Sequence, residues 1–362
     1  MIRILHAADL HLDSPFDALS EEKAALRRRE QRELLRSLAG IRAEQGAQLV
    51  LLSGDLFDSD ASWAETEELL SLTLSEMAVP VFIAPGNHDY YSSAGRWARL
   101  RLPENVYVFT SPDFDGVVLG ELGVRVWGAA FTDNYSEGRL GELRIPRQDN
   151  FTELVCIHGE TGAPASRYNP ITEAELAASN ADYVALGHNH SFSGLRKAGN
   201  TYYAWPGCPE GRGFDECGEK GVLIVDAEPG SVRAKFIPTG ARRYEKLRVP
   251  AGGLEDFRLP DGAQDNIYEI TVTGETDKEP DMAALYRALE PRVFALRMKD
   301  ETRLRRDVWE RAGEDSLRGV FLRMLRDRYG SARTDAEREE ITRAARWGLA
   351  ALDGREEAEP LW

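Results

Sequence analysis

Along the first two-thirds of the chain, short apolar runs alternate with stretches whose apolar positions recur every three to four residues. The runs read as buried strands and the stretches as amphipathic helices, so the pattern predicts an α/β domain. "IRILHAAD" is the opening strand, and a long charged helix from Ser20 to Gln45 follows, with Leu34, Leu35, Leu38 and Ile41 on one face. "QLVLLSGD" and "VPVFIAPGNHD" are the next strands, separated by a helix whose apolar face holds Trp63, Leu70, Leu74 and Met77. "NVYVF" and "VRVWGAAF" lead to a stretch read as a polar, Gly-rich loop over 132–150, and "ELVCIHGE" and "DYVALGHNH" are two further buried strands. "TYYAWPGCPEG" and "KGVLIVDAEPG" read as strands of a second, more antiparallel sheet.

The Pro- and Gly-rich segment "RVPAGGLEDFRLPDGAQD" marks a boundary. Beyond it, "IYEITVTG", a helix around Met282, Leu285 and Leu289, and "RVFALRMKD" make a small β-α-β unit. The chain then turns helical. Leu317, Val320, Phe321, Met324 and Leu325 form an apolar stripe on a helix capped by Asp315 or Ser316 and closed by Gly330. Thr334 and Glu337 are spaced as a capping box that opens a last helix through Leu352. The expected division is therefore 1–250, 251–300 and 301–362.

Composition narrows the class. With 42% apolar and 29% charged residues the chain is an ordinary globular protein, and no apolar run is long enough to cross a bilayer. His6 and Asp9 interrupt the N-terminal run too early for a signal peptide, and three scattered cysteines suit reduced thiols, so a cytoplasmic location is expected. The net charge, 45 − 61 = −16, argues against sequence-blind grip on a polyanion unless bound metal ions or local basic patches override it.

Histidine placement carries the chemistry. Five of the six histidines lie just past the end of an apolar run, in Asp9-x-His11, Gly86-Asn87-His88-Asp89, His158-Gly159 and Gly187-His188-Asn189-His190. Gly54-Asp55-x-x-Asp58 ends a further run in the same manner. Loops beyond the carboxyl ends of strands converge on one crevice in an open α/β sheet, so these residues are expected to meet. Imidazole, carboxylate and one amide make a mixed nitrogen/oxygen set suited to Mn²⁺, Fe²⁺ or Zn²⁺, enough for two ions if Asp55 bridges them.

The five blocks, in this order, resemble the calcineurin-like metallophosphoesterases. The resemblance implies a sandwich of two mixed β-sheets flanked by helices, to which the family's nuclease branch adds a small α/β capping domain and a helical tail. It implies Asp9, His11, Asp55 and His190 on one metal ion and Asp55, Asn87, His158 and His188 on the other. It leaves His88 free to protonate the leaving oxygen after attack by a metal-bridging hydroxide, with Asp58 orienting that imidazole. Asp89 either shares that orienting role or caps a turn, the turn being favoured, and His6 is structural or supports the ligands from behind.

"DLHLDSP", "GDLFD", "PGNHD" and "PGCPEGRGFDECGEKGV" are similar to the DNA-repair exonuclease branch of that family, the SbcD- and YhaO-type nuclease subunits. That branch implies a DNA substrate, manganese as the favoured metal, a homodimer, and a partner ATPase of the SMC or ABC type on which the terminal helices dock. For the apolar stripe, packing within the chain is the equal alternative. Tyr90, Arg96, Trp97, Arg99 and Arg212 are candidate substrate contacts, with further basic groups at 241–244 and 303–306; a solvated helix face is the other reading of the 96–101 run. The alternatives for the whole chain are a small-molecule phosphodiesterase or nucleotidase on the same metals, or a scaffolding subunit.

Overall fold

A computed structural model describes the chain except residues 60–61, 147–150, 163–164, 277, 305–306 and 353–362. It divides into two compact units. The first comprises 1–245, 262–268 and 293–295, and the second holds 246–261, 269–292 and 296–362.

In the first unit the chain runs through β1 (Ile2–Ala7), α1 (Glu21–Gln45), β2 (Leu49–Leu52), α2 (Ala64–Met77), β3 (Val81–Ile83), the single turn α3 (Arg96–Arg99) and β4 (Val106–Val108). Then come β5 (Asp115–Leu119), β6 (Val124–Gly128), β7 (Thr152–His158), β8 (Glu160–Thr161), β9 (Pro170–Ile171), α4 (Glu173–Ala178) and β10 (Tyr183–Gly187). β11 (Arg196–Ala198), β12 (Thr201–Ala204), β13 (Gly221–Glu228) and β14 (Ser231–Pro238) complete the sheets. One sheet has the order β14-β13-β1-β2-β3-β4 and the other β11-β12-β10-β7-β6-β5. Both are mixed: β1 through β4 pair in parallel while β13 runs antiparallel to β1. In the second sheet β6, β7, β10 and β12 are parallel neighbours, and β5 and β11 run antiparallel at its edges.

Side-chain alternation builds the layers. Leu5 and Ala7 of β1 point to the core shared with Leu35, Leu38, Leu70 and Met77 of the helices. Ile4, one residue off, faces a second core with Leu154, Cys156 and Ala185 of the other sheet. The odd positions of β7, Val155 and Ile157, turn to a third core under Leu176 of α4. A period of two thus lets each central strand feed two cores.

"TYYAWPGCPEG" and "KGVLIVDAEPG" do not share a sheet. β12 joins β10 in parallel, whereas β13 crosses to pair with β1. Trp63 is not on the buried face of α2; it stands at the N-cap and is 56% exposed. The 132–146 stretch is not purely polar either, since Leu140, Leu143 and Ile145 are buried.

The second unit contains α5 (Met282–Leu289), α6 (Leu317–Ser331), α7 (Asp335–Leu352) and most of a three-stranded sheet of β15 (Tyr244–Pro250), β16 (Ile267–Thr276) and β17 (Ala295–Leu304). Ser316 caps α6 by accepting from the Gly319 N–H. Gly330 lies inside α6, so the helix runs past it to Ser331. The apolar stripe splits: Phe321 and Leu325 pack with Leu322 and Ala345, while Leu317, Val320 and Met324 are 72%, 45% and 62% exposed. Thr334 and Glu337 exchange both capping-box hydrogen bonds, at 3.2 and 3.3 Å. Among the described residues no helix is long and apolar enough to cross a membrane.

Candidate metal centre

Every expected ligand sits where a strand of the first unit gives way to a loop, and the backbone there is bent in an uncommon way. Asp9, His11, Asp55 and His188 all have positive φ, at 54°, 43°, 50° and 94°. Side-chain-bearing residues adopt that region at a cost, and such strain concentrates at functional sites. Backbone hydrogen bonds hold it in place: Asp9 N–H donates to Gly54 O at 3.0 Å, and His11 N–H donates to Asp55 O at 2.9 Å.

Glycines make the close approach feasible. A Cβ on Gly54 would stand 2.4 Å from His158 Nδ1, one on Gly86 2.2 Å from Asp55 Oδ1, and one on Gly187 1.9 Å from Ser53 O. Only Gly54 among them also needs its positive φ. Asp89 adds a staple between loops, accepting from Gly86 N–H at 2.8 Å and from Leu56 N–H at 2.9 Å.

The expected ligands converge in two groups. Asp9, His11 and His190 offer ligand atoms that lie together, as do Asp55, His158 and His188; His11 also clusters with Asp58 and His88. Asn87 Oδ1 is 3.1 Å from His158 Nε2, and Asp55 Oδ2 is 3.3 Å from the same nitrogen and 3.8 Å from His11 Nε2. Asp55 therefore stands between the groups. His11 Nε2 and His190 Nε2 face one another at 3.2 Å. Two such nitrogens can share at most one proton comfortably, and a cation between them satisfies both lone pairs. Imidazoles and carboxylates, buried except for the half-buried His188 and His190 and with no thiolate among them, fit a pair of divalent ions of the Mn²⁺, Fe²⁺ or Zn²⁺ type.

Electrostatics agree with a site built for positive charge. Burial opposes protonation of His158, but the Asp55 carboxylate beside it prevails and lifts the imidazole to about 9. Burial pushes Asp55 up, and the same histidine, with His11, holds it far below the usual carboxylate range. Burial, then the charge on Asp55, raises Asp89 to about 6. His188 falls to about 4 through burial and the neighbouring His158.

The sequence matches the calcineurin-like phosphoesterase family over residues 2–192, just over half of the chain. This protein is a calcineurin-like phosphoesterase. Members of that family are phosphoester hydrolases with a dinuclear metal centre, and the two clusters are the candidates for it. Among relatives, the uncharacterized metallophosphoesterase YhaO of Bacillus subtilis is 28% identical over 260 residues, covering 68% of this chain and 63% of that protein. The chain thus spans a little under two-thirds of YhaO's length. The SbcD component of the SbcCD nuclease of the same organism is 26% identical over 276 residues, covering 63% and 67% of the two chains. Two solved structures are distantly alike. TT1561 of Thermus thermophilus has 15% identity and a TM-score of 0.40, covering 65% of this chain and 98% of that one. A dimetal phosphatase from Danio rerio has 13% identity and a TM-score of 0.44, covering 65% and 95%.

The calcineurin-like phosphoesterase site differs from expectation in its surroundings. His88 is exposed beside His11, ring centroids 4.9 Å apart, and its Nδ1 lies 2.9 Å from Asp58 O. Asp58 therefore meets His88 through its main-chain carbonyl. Its carboxylate instead stands 3.2 Å from His11 Nδ1 and 2.7 Å from Arg212 Nη1. Trp97 is only 5% exposed and donates its indole N–H to Asp89 O, so it is core and not a stacking surface. Arg96 is buried too, donating to Ser59 O at 2.7 Å and lying 4.0 Å from the Phe57 ring centroid. Arg99 donates to Ala94 O at 2.8 Å, away from both clusters. Tyr90 is half-buried, and Arg212 alone of these five borders the ligands. Of the 303–306 run, residues 305–306 lie outside the described residues.

Sequence reasoning missed three groups. Glu216, buried, has Oε1 2.7 Å from His190 Nδ1. Tyr168 lies against the His188 ring, 5.0 Å between centroids and 31° between planes, and the exposed Tyr135 lies 5.7 Å beyond it. The "GFDE" block marked the first only as a loop without a metal ligand, and nothing in the spacing of the tyrosines points to the site.

Proposed function

We propose that this chain is a metal-dependent phosphodiesterase acting on DNA, an exonuclease or endonuclease of DNA repair, with manganese as its working metal and Asp9, His11, Asp55, Asn87, His158, His188 and His190 as its ligands. When bound, the ions supply Lewis-acid charge at the phosphoryl group and a nucleophile at neutral pH. The chain's own contribution is to pre-place donors. His88 carries the reading: it is exposed, is held by a backbone carbonyl, and clusters with His11 and Asp58 rather than with the ligand groups of Asp9 and His190 or of Asp55 and His158. With Nδ1–H donating to Asp58 O, the imidazole leaves Nε2 as the atom that would pass a proton to a leaving oxygen.

The DNA substrate is supported by the similarity to a protein named as a component of the SbcCD nuclease. It is supported too by the aromatic faces of Tyr168 and Tyr135 next to His188, with the Arg167 guanidinium 5.5 Å from the Tyr135 centroid. Aromatic rings beside a phosphoester site suit planar bases. We read 1–250 as the catalytic domain, 251–300 as a cap and 301–362 as a tail. Exposed Leu317, Val320 and Met324 are what an SMC- or ABC-type ATPase would cover; a homodimer and a cytoplasmic location belong to the same reading. A small-molecule phosphodiesterase is the second reading, favoured by the net charge of −16 and by the tethering of Arg96 and Arg99. Purified protein with Mn²⁺ and end-labelled single- and double-stranded DNA decides between them. Degradation that is lost in His88→Ala, with metal still bound, is the expected result. Turnover of a small phosphodiester reporter without DNA cleavage would favour the second reading.

A further inference from the structure

The two ligand groups are supported in different ways behind their imidazoles. In the Asp55 group, His158 turns its Nδ1 to a backbone carbonyl, Ser53 O, at 2.9 Å. In the Asp9 group, both imidazoles turn Nδ1 toward a carboxylate. Glu216 Oε1 is 2.7 Å from His190 Nδ1, and Asp58 Oδ1 is 3.2 Å from His11 Nδ1. Both are ion-pair contacts; the second is the longer, and His11 Nδ1 makes no hydrogen bond, so it is the weaker of the two.

A single guanidinium joins the two carboxylates. Arg212 Nη1 lies 2.7 Å from Asp58 Oδ1 and Nη2 lies 2.7 Å from Glu216 Oε1. Its backbone N–H donates to Glu216 Oε2 at 2.7 Å and its Nε to Oε1 at 3.2 Å. Nη2 also approaches His190 Nδ1 at 3.3 Å, a longer contact than the carboxylate makes. The loop carrying Arg212 is pinned in turn by the fully buried Arg27 of α1, which donates to Gly211 O at 2.8 Å and pairs with Glu210 at 2.5 Å.

We propose that Glu216, Asp58 and Arg212 form a positioning clamp for one of the two metal positions, the one held by Asp9, His11 and His190, and leave the other untouched. The clamp rests on the metal-centre reading above. A carboxylate on Nδ1 fixes the proton there and directs the Nε2 lone pair at the ion, and it raises the basicity of that nitrogen. Arg212 keeps two like charges side by side without repulsion and sets their spacing through its planar fork. Neither Asp58 nor Arg212 need touch substrate for this. They are positioning residues.

The test is a calorimetric titration of Mn²⁺ into the metal-free full chain, resolving two stepwise affinities. For Glu216→Gln one affinity should fall about 10- to 100-fold while the other stays within about twofold, the range seen when such outer partners are removed. Glu216→Asp should restore part of the loss. Arg212→Lys keeps the charge but not the fork, should weaken the same step by less, and carries the test if Glu216→Gln does not fold. Two unchanged affinities in both variants would overturn the clamp. So would an equal fall in both affinities accompanied by a lower melting temperature of the metal-free protein, which is the mark of a general structural role. Wild-type protein that binds no Mn²⁺ would instead overturn the metal-centre reading, and the clamp with it.

Discussion

Trp97 offers a direct way to separate packing from substrate binding. The residue is 5% exposed in the core with Leu56, Phe57 and Leu69, its ring edge-on to Phe57 at 5.8 Å, and its N–H bonded to Asp89 O. Removing a large aromatic from such a site costs about 3–5 kcal/mol through lost burial and the cavity left behind. Against a total stability of about 5–15 kcal/mol, that is about a fifth or more. Trp97→Phe keeps most of the ring but drops the donor, which should cost about 1–2 kcal/mol. Urea unfolding followed by circular dichroism reads both. With a slope of roughly 3 kcal/mol/M, Trp97→Ala should lower the midpoint by about 1–2 M and Trp97→Phe by about a third to two-thirds of 1 M. The damage reaches the site as well, because Asp89 is the residue that staples the Asp55 and Gly86 loops. A Trp97→Ala protein with an unchanged midpoint but a raised KM for DNA would refute this placement and return Trp97 to the substrate surface.

Gly187→Ala puts a Cβ 1.9 Å from Ser53 O and 2.8 Å from His158 Nδ1, backbone and ligand that have nowhere to go. Overpacking of this kind costs about 1–3 kcal/mol or more, and a spectroscopic Co²⁺ titration should show one ion bound more weakly; wild-type stability and binding would contradict the close packing. The metal-free protein should also show a pH optimum of stability. His158, raised to about 9, contributes stability that is full below 6.5 and lost as pH rises through 9. His6 is buried neutral between Tyr183 and Ser53 and lowered to about 3, so its contribution is present above 6.5 and lost as pH falls toward 3. Urea midpoints across pH in chelator should therefore fall on both sides, and Asp55→Asn should flatten the alkaline side; an unaltered alkaline limb would show that Asp55 is not what holds the proton on His158.

How much the sequence disclosed depended on the range of the interaction. Strand alternation is local, so β1, β2, β7 and β10 are legible, and ligands at strand ends follow from them. Pairing is not local. β12 and β13 lie close in sequence, yet β13 finds β1 across the whole domain, and no local pattern encodes that choice. The Arg96–Arg99 segment reads as a basic surface, but a single helical turn is too short to reveal which side is buried. Spacing brings Asp58 to His88 but cannot distinguish a carbonyl from a carboxylate, and it is the carbonyl that makes the contact. Glu216 reaches His190 from a loop more than twenty residues on, and only the folded loop brings its charge there.

Metal stoichiometry tests the central claim most directly. Elemental analysis and equilibrium titration of the wild-type chain should give two Mn²⁺ per molecule, with His158→Ala and His190→Ala each retaining one and Asp55→Asn weakening both. Wild-type protein that saturates with one ion, or whose second ion survives both histidine substitutions, would contradict a dinuclear centre built from these residues.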